Sequence, residues 1–255
     1  MTSNKFIILT PGRSGSTYLQ QLLNSDPAIS CYDEIFNVAN KNNNSFYSFC
    51  RTNNPKISFF FLRGKFSRSS WNFPLAYLFR QYLKSIYIKT SATKIGFKLI
   101  YNQLLHYHPL ASWVSGNPIP IIHLQRKNLL KAAISHIKAR STGIYTSTSV
   151  SLEKRQKINI SPAAILNELR SSSAEKLKCE SLIRNNPSIT IYYEDLFKNL
   201  PSTIQQLQAF LHIENVSFQK PDIVKTNPDR IDEIIENYDD LKKVLRGTDW
   251  EGFLD

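Results

Sequence analysis

Apolar residues in this chain follow two alternating patterns. Short unbroken apolar runs, bounded by Pro, Gly or Asn, alternate with longer stretches in which apolar residues return every three or four positions. The first run, residues 5–10, ends at Pro11-Gly12 and predicts a buried strand. From Ser16 the spacing of Tyr18, Leu19, Leu22 and Leu23 predicts a helix that stops near Asn24-Ser25-Asp26-Pro27. Residues 28–32 predict a second short strand. Residues 71–88 predict a helix carrying Tyr77, Leu78 and Tyr82, and residues 94–100 a strand followed by a helix from Asn102. Residues 120–126 form a strong buried-strand pattern, with a helix from Asn128 bearing Leu129, Ala132, Ala133 and Ile137. A helix over 162–184, a strand over 188–193, a helix over 200–211 and a tail helix over 231–245 complete the reading.

Strands alternating with helices predict an α/β fold with a mostly parallel sheet flanked by helices. No internal repeat or linker splits the chain, so one domain over 1–255 is expected. It carries a mainly helical excursion at about 37–90, where Asn, Ser and Lys surround Phe59-Phe60-Phe61, and a mobile Ser/Thr-rich loop at about 141–161.

Composition narrows the class. The chain has 255 residues, 42% hydrophobic and 20% charged, which is enough for a sizeable core and unlike a disordered protein. No stretch reaches the apolar length of a transmembrane helix, and the apolar run at residues 6–9 is too short for a secretory signal. A cytoplasmic location is expected on that basis. Cys31, Cys50 and Cys179 are odd in number and lack C-x-x-C spacing, so free thiols are expected rather than a disulfide framework or zinc site. The net charge of +12 favours polyanionic partners, and nucleic acid, an anionic membrane and a phosphorylated small molecule all satisfy it.

The loop Thr10-Pro11-Gly12-Arg13-Ser14-Gly15-Ser16-Thr17 discriminates among these. A strand, a Gly-containing turn and a helix N-terminus together offer unpaired N–H groups and a positive dipole end. Gly12 and Gly15 let the backbone approach an anion. Ser14, Ser16 and Thr17 add hydroxyls, and Arg13 adds a cation. The loop lacks the Walker A pattern, because the glycines are too close and no Lys precedes Ser16. A bare strand-to-helix turn is the alternative; the hydroxyl-rich helix start favours phosphate binding.

The run Pro11-Gly12-Arg13-Ser14-Gly15-Ser16-Thr17-Tyr18-Leu19 resembles the 5′-phosphosulfate loop of sulfotransferases that use 3′-phosphoadenosine 5′-phosphosulfate (PAPS), from which it departs by the extra Gly12. Arg126, at the end of the predicted strand, and Ser135, on the next helix, resemble the family's 3′-phosphate site. A guanidinium can fork onto a phosphate, whereas Ser135 by itself reads as a neutral helix residue. Residues 139–145, Ala-Arg-Ser-Thr-Gly-Ile-Tyr, are similar to a run in the bacterial trehalose-sulfotransferase-like branch. Tyr192-Tyr193-Glu194-Asp195-Leu196 is similar to a segment common in the family, with a capping or ion-pairing role for the two carboxylates preferred. Gly96-Phe97-Lys98 resembles a family strand, with Lys98 either turned into the site or lying at a strand edge in solvent. Residues 225–227 and 245–250 resemble a C-terminal segment that closes over the nucleotide.

What the resemblance implies is a three-layer P-loop-like fold and in-line transfer of a sulfuryl group from PAPS to a hydroxyl of a carbohydrate or glycolipid. Gly12, Arg13, Ser14, Gly15, Ser16, Thr17, Arg126 and Ser135 would bind the nucleotide, and Lys98 and Arg140 the acceptor. Arg13 would stabilise the leaving oxygen. Glu34, in a segment like the family's H-x-E-x-F, is the candidate general base, against a surface-pair reading of Asp33-Glu34. His136 is a rival base, and His123, on a buried strand, reads as a packed core histidine. No carboxylate cluster has metal-ligand spacing, so no metal is expected. A homodimer stays open, and no specific nucleic-acid module is present. The alternatives are a P-loop-type nucleotide kinase and a non-catalytic nucleic-acid-binding protein.

Overall fold

A computed structural model describes residues 4–37, 44–53, 72–88, 90–143, 157–214, 216–223, 228 and 230–254. Among these, β1 (Lys5–Thr10), β2 (Ile29–Tyr32), β3 (Lys94–Ile100), β4 (Ile121–Gln125) and β5 (Ser188–Tyr192) form one sheet. Its order is β2-β3-β1-β4-β5, and every neighbouring pair is parallel. β1 lies in the middle and is buried from Phe6 to Thr10, because both of its faces are covered.

One face carries Ile7, Leu9, Phe97, Leu99 and Ile121. Against it pack α2 (Phe46–Asn53), α3 (Asn72–Ile88), α4 (Tyr101–His106), α5 (His108–Ser115) and the C-terminal half of α7 (Pro162–Ile183). The other face carries Phe6, Ile8, Ile122 and Leu124. It is covered by α1 (Ser16–Asn24), α8 (Tyr193–Lys198) and α9 (Leu200–Leu211). Helices on both faces of a parallel sheet make the three-layer, P-loop-like α/β fold. α1 turns Tyr18, Leu19, Leu22 and Leu23 inward, and each of those leucines contributes roughly 1.5–3 kcal/mol by leaving water. A third apolar cluster joins α6 (Leu129–Thr142), the N-terminal half of α7 and α10 (Tyr238–Leu245).

Two predicted helices are interrupted. The one expected from Asn102 breaks at Tyr107 into α4 and α5, because Pro109 opens the second helix and cannot continue the first. The tail helix expected over 231–245 becomes a 3-10 turn, Ile231–Glu233, and then α10. Between them the backbone pairs with residues 158–160 instead. Ile158 N–H donates to Ile234 O (2.9 Å), and Glu236 N–H donates to Ile158 O (3.0 Å). Asn237 closes the pairing by exchanging side-chain hydrogen bonds with the backbone of Ile160 (3.0 and 2.9 Å).

Of the stretch expected as a loop over 141–161, residues 141–142 belong to α6, and residues 157–161 carry this pairing. Residues 144–156 lie outside the described residues, as do residues 38–43, 54–71 and 89 of the excursion at 37–90.

Candidate active site

The order of the sheet decides where a ligand can sit. From β1 the chain moves to β2 and β3 on one side, and β4 lies on the other. The crevice at the C-terminal ends of β1 and β4 is therefore the topological switch point where open α/β sheets bind ligands. The loop after β1 and Arg126 after β4 both open into it.

That loop is shaped by two left-handed residues. Arg13 has φ 62° and Gly15 φ 79°. The first is a strained conformation for a residue with a Cβ, and it turns the Arg13 side chain across the crevice. A Cβ on Gly15 would run into the ring of Tyr193, so this position admits only glycine. Gly12 has a negative φ and open space around it, so its lack of a side chain answers no steric demand in this loop.

The Thr10 and Ser14 hydroxyls pair with each other, one donating to the other, and both lie within hydrogen-bonding distance of Pro11 O (3.0 and 3.1 Å), which accepts from the hydroxyl whose proton remains. The Ser14 hydroxyl thus braces the loop from inside rather than facing the crevice. No side chain caps the start of α1. A helix so started leaves the N–H groups of its first turn for a ligand.

Three residues separated widely in sequence meet at this point. Arg13 Nε donates to Ser135 Oγ (3.1 Å), and Arg126 Nη1 donates to Arg13 O (3.4 Å). Ser135 lies on α6, about two and a half helical turns beyond Arg126. Its contact with the loop after β1 means that α6 crosses over the strand ends. The turn that carries Arg126 is held by Glu194. That carboxylate accepts from Lys127 N–H (2.9 Å) and Asn128 N–H (3.4 Å) and lies 3.8 Å from Arg126 Nε. Asp195 pairs with Lys127 (2.7 Å). The two carboxylates therefore brace the site by ion pairing and by capping the turn before α6. The C-terminal segment reaches the same turn from behind, where Asn128 Nδ2 donates to Phe253 O (2.9 Å).

A second group lies beyond α1 at the ends of β2 and β3. Lys98 is 3% exposed and sits within the sheet between β1 and β2, away from any edge. Its ammonium meets Asp33 at 2.5 Å, Glu34 at 3.3 Å and Thr17 Oγ1 at 3.4 Å. Two carboxylates compensate this buried cation. Glu34 Oε2 accepts from Asn37 Nδ2 (2.8 Å) and Gln103 Nε2 (3.4 Å). Gln103 in turn accepts from Ile100 N–H (3.3 Å), tying Glu34 to the end of the strand that carries Lys98.

The two histidines differ. His123 is 4% exposed and bonded to Tyr101 Oη (2.5 Å) and Gln125 Nε2 (3.0 Å), and burial pushes its pKa down to about 4. His136 donates from Nδ1 to Glu168 (2.7 Å), and that bond holds the Glu168 carboxyl below its ordinary range. Arg140 stands exposed in the last turn of α6, with Glu168 as an electrostatic neighbour. Gln103 and Tyr193 carry no sequence signal for these contacts, because only the fold brings them to their partners, whereas Asn37 reaches Glu34 within one local turn. Among the described residues no helix is long and apolar enough to cross a membrane, and no cluster of three or more His, Cys, Asp or Glu could hold a metal ion.

The Sulfotransferase family model matches residues 6–217. Among solved structures the chain is similar to a sulfotransferase from Alicyclobacillus acidocaldarius, at 13% identity over 98% of this chain and 94% of that one, with TM-score 0.49. It is also similar to the sulfotransferase domain of the Synechococcus PCC 7002 olefin synthase, at 14% identity over 82% and 73%, with TM-score 0.43. A mouse sulfotransferase complexed with PAP matches at 14% identity over 99% and 88%, with TM-score 0.46. No curated protein sequence matches the chain.

Proposed function

The chain belongs to the sulfotransferase family, and from that premise we propose that it transfers a sulfuryl group from PAPS to an acceptor hydroxyl. The observation that carries this reading is the meeting of Arg13, Arg126 and Ser135 beside the uncapped start of α1. Two guanidinium groups and a helix N-terminus suit a nucleotide bearing anions at both its 5′ and 3′ positions. The mouse relative complexed with PAP supports the same co-substrate class. A Walker-type kinase would need a lysine immediately before Ser16. Gly15 holds that position, with the Tyr193 ring where a side chain would begin, which disfavours the kinase alternative.

When bound, PAPS supplies a sulfuryl group activated as a mixed anhydride. The N–H groups of the first turn of α1 and the loop hold the 5′ end, and Arg13 offsets the charge that develops on the leaving oxygen. Arg126 and Ser135 hold the 3′-phosphate. Glu34 takes the proton of the acceptor hydroxyl as its oxygen bonds to sulfur. Two amide donors hold Glu34 Oε2, and Glu34 Oε1 lies 3.3 Å from the Lys98 ammonium. Lys98 stands between Glu34 and Thr17, where it can neutralise the transferring group.

The acceptor is a carbohydrate or glycolipid hydroxyl, with Arg140 on its side of the site. The likeness of residues 139–145 to the trehalose-sulfotransferase-like branch supports this part of the reading.

Isothermal titration with adenosine 3′,5′-bisphosphate tests the donor. Binding well above that of adenosine 5′-monophosphate is expected, and equal affinity for the two overturns the reading. Glu34→Gln is expected to lower turnover about 100-fold or more, in line with loss of a positioned base, while nucleotide affinity stays within about twofold. Full activity in that variant moves the base elsewhere.

A further inference from the structure

We propose that the outer face of α3 is a docking surface for an anionic lipid bilayer, with Arg80 and Lys84 meeting lipid phosphates and Tyr77 and Ile88 entering the interface beside them. The proposal goes beyond sulfuryl transfer and stands without it. It bears on the acceptor by favouring a glycolipid over a soluble carbohydrate.

Charge is segregated along this chain. No Asp or Glu lies between Glu34 and Glu153, yet that stretch holds 16 of the 32 Lys and Arg residues. All 20 acidic residues lie in the rest of the chain. The fold turns this segregation into a flank. Helices α2, α3, α4 and α5 all come from the acid-free stretch and pack on the same face of the sheet. The Lys, Arg, Asp and Glu residues within these four helices are Arg51, Arg80 and Lys84, all cations. A flank of one sign sets up a field that attracts anionic surfaces.

Helix α3 shows which part of the flank makes contact. Tyr77, Arg80, Lys84 and Ile88 fall within roughly 80° of one another around the helix and span about 16 Å of its length. All four are exposed, Tyr77 at 59% and Ile88 at 81%. The opposite side carries Leu78, Phe79, Tyr82, Leu83 and Ile86, all buried in the core, so the stripe is held facing outward. Lys5 adds a cation near the Ile88 end, its ammonium 4.4 Å from the centre of the Tyr87 ring.

The apolar members of the stripe select the occupant. Two of the four exposed large hydrophobic residues among those described lie here, on the same side as the cations. A nucleic-acid backbone complements Arg80 and Lys84 but gives Ile88 nothing to bury against. An anionic bilayer surface complements both: its phosphates attract the cations, its headgroup layer suits a tyrosine ring, and its acyl boundary takes an aliphatic side chain out of water.

The test is co-sedimentation of the full chain with vesicles of phosphatidylcholine alone, and of phosphatidylcholine with one-third phosphatidylglycerol. Binding to the anionic vesicles is expected, weakening as salt rises, with little binding to phosphatidylcholine alone. Arg80→Gln with Lys84→Gln is expected to lower the partition coefficient about thirtyfold. Tyr77→Ser with Ile88→Ser is expected to lower it about tenfold. Arg80→Lys with Lys84→Arg keeps the charge and should stay within about twofold of wild type. Thermal midpoints of all variants should match wild type, because the four side chains are exposed.

Absence of binding to the anionic vesicles overturns the proposal. So does binding that either neutralised or apolar-stripped variant leaves unchanged, because the contact then lies elsewhere. A single-stranded RNA oligonucleotide that binds as tightly as the vesicles and responds to the same variants also overturns it, and makes the face a nucleic-acid surface. Titration with adenosine 3′,5′-bisphosphate keeps the two readings apart. Nucleotide binding without vesicle binding overturns this proposal alone, and vesicle binding without nucleotide binding overturns the PAPS reading alone.

Discussion

The imidazole of His123 is 4% exposed, and burial pushes its pKa down to about 4 from 6.5. With Gln125 Nε2 donating to Nδ1, the ring proton lies on Nε2 and points at Tyr101 Oη. The unfolded chain takes up a proton near 6.5, whereas the folded protein resists until about 4. Between those values the unfolded state binds more protons, so stability is full above pH 6.5 and falls as pH drops toward 4. The loss from this group is at most about 3 kcal/mol. His123→Gln is expected to remove that part of the acid sensitivity. Thermal midpoints of wild type and variant, compared between pH 4 and pH 7, check it, and parallel pH curves would count against the assignment. Position on a buried apolar run already indicated a core histidine. The partner Tyr101 was not legible, because it comes from a different βα unit. Glu34 shows the same limit from the other side. Its residue type and place after β2 suggested a base, while Gln103 and Lys98 reach it only through the folded ends of β2 and β3.

Helix α6 depends on its first residue-length of backbone. Asn128 accepts from Lys131 N–H (2.8 Å) through its side-chain oxygen, a standard N-cap, and also ties the helix start to Phe253 O. Asn128→Ala is expected to cost about 1 kcal/mol in chemical denaturation, and Asn128→Ser, which keeps a capping oxygen, distinctly less. Because α6 carries Ser135, the alanine variant should also weaken bisphosphate binding by a few-fold. Unchanged affinity would show that Ser135 is held by the third apolar cluster alone. The helices expected from periodicity are the ones found wherever one apolar face meets the sheet, as with α1 and α9. Periodicity missed the break at Tyr107 because Pro109 changes the backbone without changing the apolar spacing. It missed the break after Glu233 because Ile234 and Ile235 are apolar in either conformation, and only the distant segment at Ile158 draws Ile235 into a bridge.

The whole molecule gathers its chemistry at one edge. All five strands run in the same direction, so their C-terminal ends and the loops that follow them share one side. β1 contributes Arg13, β2 leads to Asp33 and Glu34, β3 contributes Lys98 and leads to Gln103, β4 leads to Arg126, and β5 leads to Tyr193 and Glu194. The chain's excess of positive charge, +12, is of the sign that draws nucleotide anions toward such a crevice.

Apolar spacing, the glycine-containing turn after the first strand and the arginine after the fourth were enough to read an α/β sheet and an anion-binding loop. These are local signals, written within a few residues of one another, and a chain of either period has few ways to bury them. Pairing was not local. That Arg13 reaches Ser135, that Lys98 lies buried between Asp33 and Glu34, and that the Tyr193 ring fills the space beside Gly15 follow from the strand order β2-β3-β1-β4-β5. Strand order is set by how two faces of apolar side chains share one core, and no stretch of sequence carries that information alone. The loop was therefore legible as a place where an anion binds, and the tertiary structure brought together the residues that make it a site for two.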